Sequence, residues 1–152
     1  MNSQKNVYGV GMESRFKKRK EVELCELVGK KIAVIKGLDK GSEEVRVFTE
    51  CGYEYLFSNE PDGGKVELED FECDIEALVG AVIISAEIST NEHSEGDDNP
   101  PHKYVECWTW SFYKIETTKG ELWMRWLGES NGYYSEDVSL VLVNGEDKVV
   151  KH

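Results

Sequence analysis

A seven-residue pattern occurs twice in this chain, and a fold for it must be one that can be built twice. Glu23-Leu24-Cys25-Glu26-Leu27-Val28-Gly29 is matched by Asp74-Ile75-Glu76-Ala77-Leu78-Val79-Gly80, 51 positions later. In each copy acids sit early, apolar residues recur at spacing three and four, and a glycine closes the stretch. That is one or two helical turns with a stop signal. An apolar strand follows each copy, Lys31–Lys36 and then Ala81–Ile88, and Ile32 and Ile83 keep the same offset. A hairpin comes next in both halves. Val45–Thr49 turns at Glu50-Cys51-Gly52 and returns as Tyr53–Phe57. Trp110–Glu116 turns at Thr117-Thr118-Lys119-Gly120 and returns as Glu121–Leu127. Both turns carry glycine where positive φ is wanted. Ser58-Asn59 before Val66-Glu67-Leu68, and Ser130-Asn131 before Val138-Ser139-Leu140, complete the series.

The expectation is a mostly β (α+β) protein. It has about eight strands in two pseudo-repeated halves with two short helices, arranged as one sheet, an open barrel or a sandwich. Residues 1–20 read as a flexible basic segment and 147–152 as a tail. Between them, 21–146 form a single domain divided at about 71/72. The halves differ in an insertion, Ser89–Lys103, which reads as a long exposed loop. They differ also in aromatic content. Trp108, Trp110, Trp123 and Trp126 all fall in the second half, with Phe112, Tyr113, Tyr133 and Tyr134. Alternation places Trp108, Trp110 and Phe112 on one face of their strand and Tyr113 on the other.

Charge narrows the class of partner. The chain of 152 residues has 18 Lys and Arg against 30 Asp and Glu, a net of −12. Residues 1–20 hold six bases and one acid, so the remaining 12 bases and 29 acids leave a net of −17 on residues 21–152. Such a body repels nucleic acid and anionic membranes and attracts basic surfaces. No apolar run approaches the ~20 residues of a membrane span, and the N-terminal stretch lacks a secretory core, so a cytoplasmic location is expected. Cys25, Cys51, Cys73 and Cys107 form no CxxC pair, which argues against zinc and for reduced thiols packed as small hydrophobes. His93, Asp97, Asp98, His102 and Cys107 match no metal-ligand spacing, and His152 is terminal. No cofactor is expected. No nucleophile elbow, phosphate loop or metal-hydrolase motif is present, so the expectation is a protein that is not an enzyme.

Two stretches carry the binding reading. Glu43–Glu76 holds twelve acids and two bases. Alternation puts Glu67 and Glu69 on one side of a strand, and Asp70, Glu72 and Asp74 continue the run. Carboxylates spaced along a strand can imitate the phosphates of nucleic acid, and a solvated acidic face accounts for the same residues. Gly128-Glu129-Ser130-Asn131-Gly132-Tyr133-Tyr134 offers close backbone approach, a carboxylate and two amphipathic rings. An Asn-Gly turn with tyrosines capping the core explains it equally.

The pieces LVGKKIAVIKGLDKGSEEVRVFTECGYEY at Leu27–Tyr55, LVG at Leu78–Gly80, LED at Leu68–Asp70 and TWSFYKIETTKGELWMRWLGESNGYYSEDV at Thr109–Val138 resemble a family of short uncharacterised domains from phages and bacteria. Members of that family often carry a cysteine pair after an aspartate ahead of the LED segment. This chain has Asp62-Gly63-Gly64-Lys65 there. The resemblance implies a phage or mobile-element origin and no particular chemistry.

These readings combine into an acidic phage-type protein that binds and inhibits a host protein. Its target would be a basic nucleic-acid-handling or defence enzyme such as a CRISPR nuclease. The contact residues would be Glu67, Glu69, Asp70, Glu72, Glu129, Asn131, Tyr133 and Tyr134, and the acidic body itself would not bind nucleic acid. One alternative is a small-molecule or nucleotide binder, or an enzyme, with an aromatic cleft at Trp110, Trp123, Glu129 and Tyr133 and a local basic patch of Lys114, Lys119 and Arg125. Another is a structural or assembly protein, such as a homodimer formed edge to edge.

Overall fold

The computed structural model describes residues 19–59, 64–94, 106–130 and 136–143. Nine strands lie among them. β1 is Lys20–Glu21, β2 Ile32–Lys36, β3 Val45–Thr49, β4 Glu54–Ser58 and β5 Lys65–Glu72. β6 is Ile83–Ser94, β7 Cys107–Thr117, β8 Gly120–Ser130 and β9 Ser139–Leu142. The two helical stretches are a 3-10 turn at Leu24–Leu27 and a single α-turn at Ile75–Leu78. The second is capped, because the Asp74 side chain accepts from Ala77 N. Glu23, its counterpart, makes no such bond. The protein is mostly β, and the described residues form two antiparallel sheets that do not close into a barrel.

One sheet has the order β1-β9-β4-β3-β2, and the other β5-β8-β7-β6. Each half of the chain supplies a three-stranded meander, β2-β3-β4 or β6-β7-β8. Its last strand then crosses to the other sheet: β5 pairs with β8, and β9 with β4. The exchange is reciprocal, so neither sheet is complete without a strand from the other half.

The halves meet at a local two-fold relation. Lys31 and Val82 form a bridge. Around it, Ile32 N donates to Ala81 O and Ile83 N to Lys30 O, while Gly29 N donates to Ile83 O and Gly80 N to Ile32 O. Each of these bonds has its mirror 51 positions away. Gly29 and Gly80 hold φ of 90° and 86°, so each makes a bulge in which two residues oppose one on the facing strand. An L side chain resists that conformation.

Alternation fills the single core between the sheets. Val45, Val47, Tyr55, Phe57 and Leu140 point inward from the first sheet. Val66, Leu68, Tyr113, Ile115, Leu122, Met124 and Trp126 do so from the second. The rings of Phe57 and Tyr113 meet edge to face across the gap, with centroids 5.1 Å apart. A fully buried apolar side chain of this size contributes about 1.5–3 kcal/mol.

The structure departs from the sequence expectations in three places. Lys20, read as part of the flexible basic segment, belongs to β1 and pairs with Leu142. Ser89–Ser94, read as the start of a loop, continue β6 and pair with Phe112 back to Cys107. Their polar side chains look like a loop, but an edge strand needs only one hydrogen-bonded neighbour and tolerates polar residues on its open side. Trp108 shares the face of Trp110 and Phe112, as alternation placed it, and of the three it alone is fully buried, at 1 % exposure. Lastly, the four cysteines form no disulfide with one another, and while half-buried Cys73 packs against the core, Cys25 and Cys51 are exposed rather than packed as small hydrophobes.

Candidate partner-binding face

The outward side of β5-β8-β7-β6 gathers the aromatic and acidic residues of the second half. Inward residues on β8 are Leu122, Met124 and Trp126, so Trp123, Arg125, Leu127 and Glu129 face out. The ladder sets Trp110 opposite Leu127, Phe112 opposite Arg125 and Lys114 opposite Trp123. Trp110, Phe112, Trp123 and Arg125 are half-buried, while Leu127 and Trp108 are buried at one end of the strip. The Arg125 guanidinium lies 5.3 Å from the Trp110 ring centre and 6.0 Å from that of Trp123. A planar cation between two ring faces is held by their quadrupoles.

The register of β5 shifts between Leu68 and Asp70. Leu68 opposes Trp126 and Asp70 opposes Arg125, leaving Glu69 as the extra residue of a bulge. The bulge turns both Glu69 and Asp70 toward Arg125, so the outward acids of β5 are Glu67, Glu69, Asp70 and Glu72. Plain alternation placed Glu67 and Glu69 on one side, and the bulge adds Asp70 to it. From the bulge, Glu69 Oε1 accepts a bond of 2.8 Å from Arg125 Nε and a second bond from Arg125 Nη2. Arg125 Nη2 also lies 4.0 Å from Asp70 Oδ2.

Most of the predicted carboxylates are partly compensated. Glu67 lies 3.7 Å from Lys65 Nζ, and Asp70 lies 3.7 Å from Lys40 Nζ and accepts from Phe71 N. Glu72 is exposed, opposite Trp123. Glu129 is half-buried between Lys65 and Trp108 in the ladder. Asn131, Tyr133 and Tyr134 lie outside the described residues, as do Asp97, Asp98, His102 and His152. At the hairpin end, Lys114 Nζ sits 3.8 Å from Glu116 and 3.7 Å from Glu121. The face is thus a half-exposed aromatic centre in an acidic frame with local cations.

A group absent from the sequence reading anchors one end. Glu136 Oε1 accepts from Thr109 Oγ1 at 2.7 Å, and Glu136 Oε2 accepts from Ser130 Oγ. Glu136 thereby ties the segment before β9 to both β7 and β8. Gly128 makes this approach feasible, because a Cβ there would stand 2.1 Å from Glu136 O. The only sequence signal was a glycine inside a strand.

Of the cleft read at Trp110, Trp123, Glu129 and Tyr133, the first two rings take Arg125 between them, and Tyr133 lies outside the described residues. Two concavities are formed by other described residues. One of about 350 Å³ is lined by Glu43, Glu44, Ser58, Asn59 and Lys65, and one of about 510 Å³ by Lys20, Glu21, Val22, Glu23, Cys25 and Glu26. Among the described residues no group of His, Cys, Asp and Glu is placed to hold a metal ion. None of their helices is long and apolar enough to cross a membrane.

A family model for a domain of unknown function, DUF7448, matches residues 25–140. The chain belongs to the DUF7448 family. The match runs from within the first helical turn to the start of β9 and takes in β2 to β8, so it covers most of the two-sheet body and the whole outward face. No curated protein and no solved structure matches it.

Proposed function

We propose that this DUF7448 protein is a non-enzymatic, acidic binding protein of phage type. It inhibits a basic nucleic-acid-handling or defence enzyme of a bacterial host, such as a CRISPR nuclease. The observation that carries the reading is the outward face of β5-β8-β7-β6, where half-exposed Trp110, Phe112 and Trp123 sit inside a frame of carboxylates. Aromatic centres with charged rims suit protein partners. The −17 body steers that face toward positive potential. Glu67 and Glu72 approach the partner's phosphate-binding side chains, and the tryptophans anchor the centre.

The reading predicts that the chain inhibits cleavage by an RNA-guided nuclease and loses potency as salt rises. Trp110→Ala with Trp123→Ala should weaken inhibition by at least about tenfold, and Glu67→Lys with Glu72→Lys by a similar factor. Both pairs lie on the outward face, so the melting temperature should stay within a few degrees. Undiminished cleavage across a panel of such nucleases would remove the inhibitor reading.

A further inference from the structure

The outer edges of the sheets are not treated alike. β5 is covered at Leu68, which exchanges bonds of 2.7 Å with Gly41 and Ser42, and β9 is covered by β1. β2 and β6 begin by bonding to each other's half at residues 29–32 and 80–83. Past Ile83 that cover ends. β6 runs on to Ser94 with β7 as its only strand neighbour among the described residues. Residues 87–91 are all exposed, and Ile84 and Ile88, at 56 % and 47 %, are the most exposed large hydrophobics described.

The phase of the ladder shows which backbone groups are open. The tight turn makes Thr117 and Gly120 a hydrogen-bonded pair, so odd-numbered residues of β7 bond to β8 and even-numbered ones to β6. The β6 residues that bond to β7 are therefore Ser85, Glu87, Ser89 and Asn91. The amides and carbonyls of Ala86, Ile88 and Thr90 point to the free edge. Edges are usually blunted by lysine, proline or short length. Ser85–Asn91 reads SAEISTN, with one charge and neither lysine nor proline.

We infer that β6 pairs antiparallel with β6 of a second copy of this chain, about a two-fold axis at Ile88. Two-fold pairing of identical strands must set one residue against itself, because the pleat forbids odd offsets. Centring on Ile88 places Ile88 against Ile88, Glu87 against Ser89, Ala86 against Thr90 and Ser85 against Asn91. No carboxylate in this stretch then faces its like, whereas centring on Glu87 would oppose two of them. The open amide and carbonyl of Ile88 form the central hydrogen-bonded pair. Elsewhere the surface is acidic and copies repel. Here the strip is nearly neutral, so a second copy fits it better than a basic partner does. The resulting sheet carries both aromatic faces on the same side. The inference stands independently of what those faces bind.

The test is sedimentation velocity on the full chain over a concentration series at low and high salt. The expected result is a monomer–dimer equilibrium that tightens with salt, as repulsion between acidic copies is screened. Thr90→Pro removes an edge donor without touching the β7 ladder, and Ile88→Lys sets like charges face to face. Each should raise the dissociation constant by at least about tenfold with an unchanged circular dichroism spectrum. Amide exchange at Ile88 and Thr90 should slow as dimer forms. A monomer at every concentration and salt would overturn the inference. So would a dimer that both variants leave intact, or protection of these amides in the monomer, which would mean that the chain covers its own edge. A partner on the aromatic face loosens with salt and this dimer tightens, so the two readings fail separately.

Discussion

The sheet β9-β4-β3-β2 and the sheet β5-β8-β7-β6 have one plan and two lengths. In the first, β2, β3 and β4 each span five residues. In the second, β6, β7 and β8 span 12, 11 and 11. Near the turns the two agree almost bond for bond. Glu50 N donates to Lys31 O as Thr118 N does to Val82 O. Thr49 and Thr117 are both buried, each with its hydroxyl accepting from a turn amide, Tyr53 N and Lys119 N. The divergence lies beyond that common frame. Trp108 and Trp110, Trp126 and Gly128, and the Glu136 anchor all sit on the extension of the longer sheet. A short frame suffices for the core, and the added length carries a surface.

The largest test of this comparison concerns whether the sheets are separable. Phe57→Ala hollows the first sheet's side of the core and Trp126→Ala the second's, and each should cost about 3–5 kcal/mol. Because the last strands are exchanged, either loss should move one cooperative unfolding transition, seen alike by tryptophan fluorescence and by far-ultraviolet circular dichroism. Two separated transitions in either variant would mean that each meander is stable alone and that the exchange of β5 and β9 is incidental.

Much of this frame was legible because it follows local rules. The repeated apolar spacing and its closing glycine marked both helical turns, and alternation marked β3, β4, β7 and β8. What stayed hidden is non-local. Nothing in Val66-Glu67-Leu68 says that β5 joins the other half's sheet, since its inward side chains would suit either. The bulge at Glu69 has no glycine to announce it, so alternation alone did not show Asp70 joining Glu67 and Glu69 on the outward side. Ser89–Ser94 form a strand through backbone pairing to β7 that needs no apolar side chains, and polarity alone resembles a loop. Of the candidate site, the carboxylates of β5 and the aromatic richness of the second half were visible. Hidden were the Arg125 stack with Glu69, which needs three strands in register, and the Thr109–Glu136–Ser130 link, which needs the chain to return.

A smaller effect tests how equal the common frame is. Gly29 and Gly80 hold almost the same positive φ. A Cβ at Gly29 would meet nothing within 4 Å and at Gly80 only the end of the Lys119 side chain, at 3.6 Å. Steric crowding is absent at both, so Gly29→Ala and Gly80→Ala should each cost the conformational penalty alone, about 1–2 kcal/mol. Chemical denaturation should place the two within about 0.5 kcal/mol of each other. A clear inequality would show that one half bears the junction more than its mirror does.

The smallest effect separates the two buried phenols, one from each sheet. Tyr113 Oη donates to Val138 O at 3.1 Å in a buried setting. Tyr55 Oη reaches the exposed Glu26 only at 3.4 Å. Tyr113→Phe should therefore cost about 1 kcal/mol and Tyr55→Phe less, because losing a bond hurts most where water cannot replace it. Both phenols titrate well above their ordinary value of 10.0. Burial is the main cause in each, reinforced by Glu26 at Tyr55 and by Asp137 at Tyr113. A group whose folded pKa is raised contributes stability that is complete below its unfolded pKa and is lost as pH climbs toward the folded value. The wild-type chain should thus hold its stability up to about pH 10 with respect to these groups and weaken above it. Each phenylalanine variant should flatten that alkaline slope by its own share. An unchanged slope in Tyr113→Phe would mean that the phenol reaches water in the folded state, and that the core between the sheets is looser on the Tyr113 side than on the Tyr55 side.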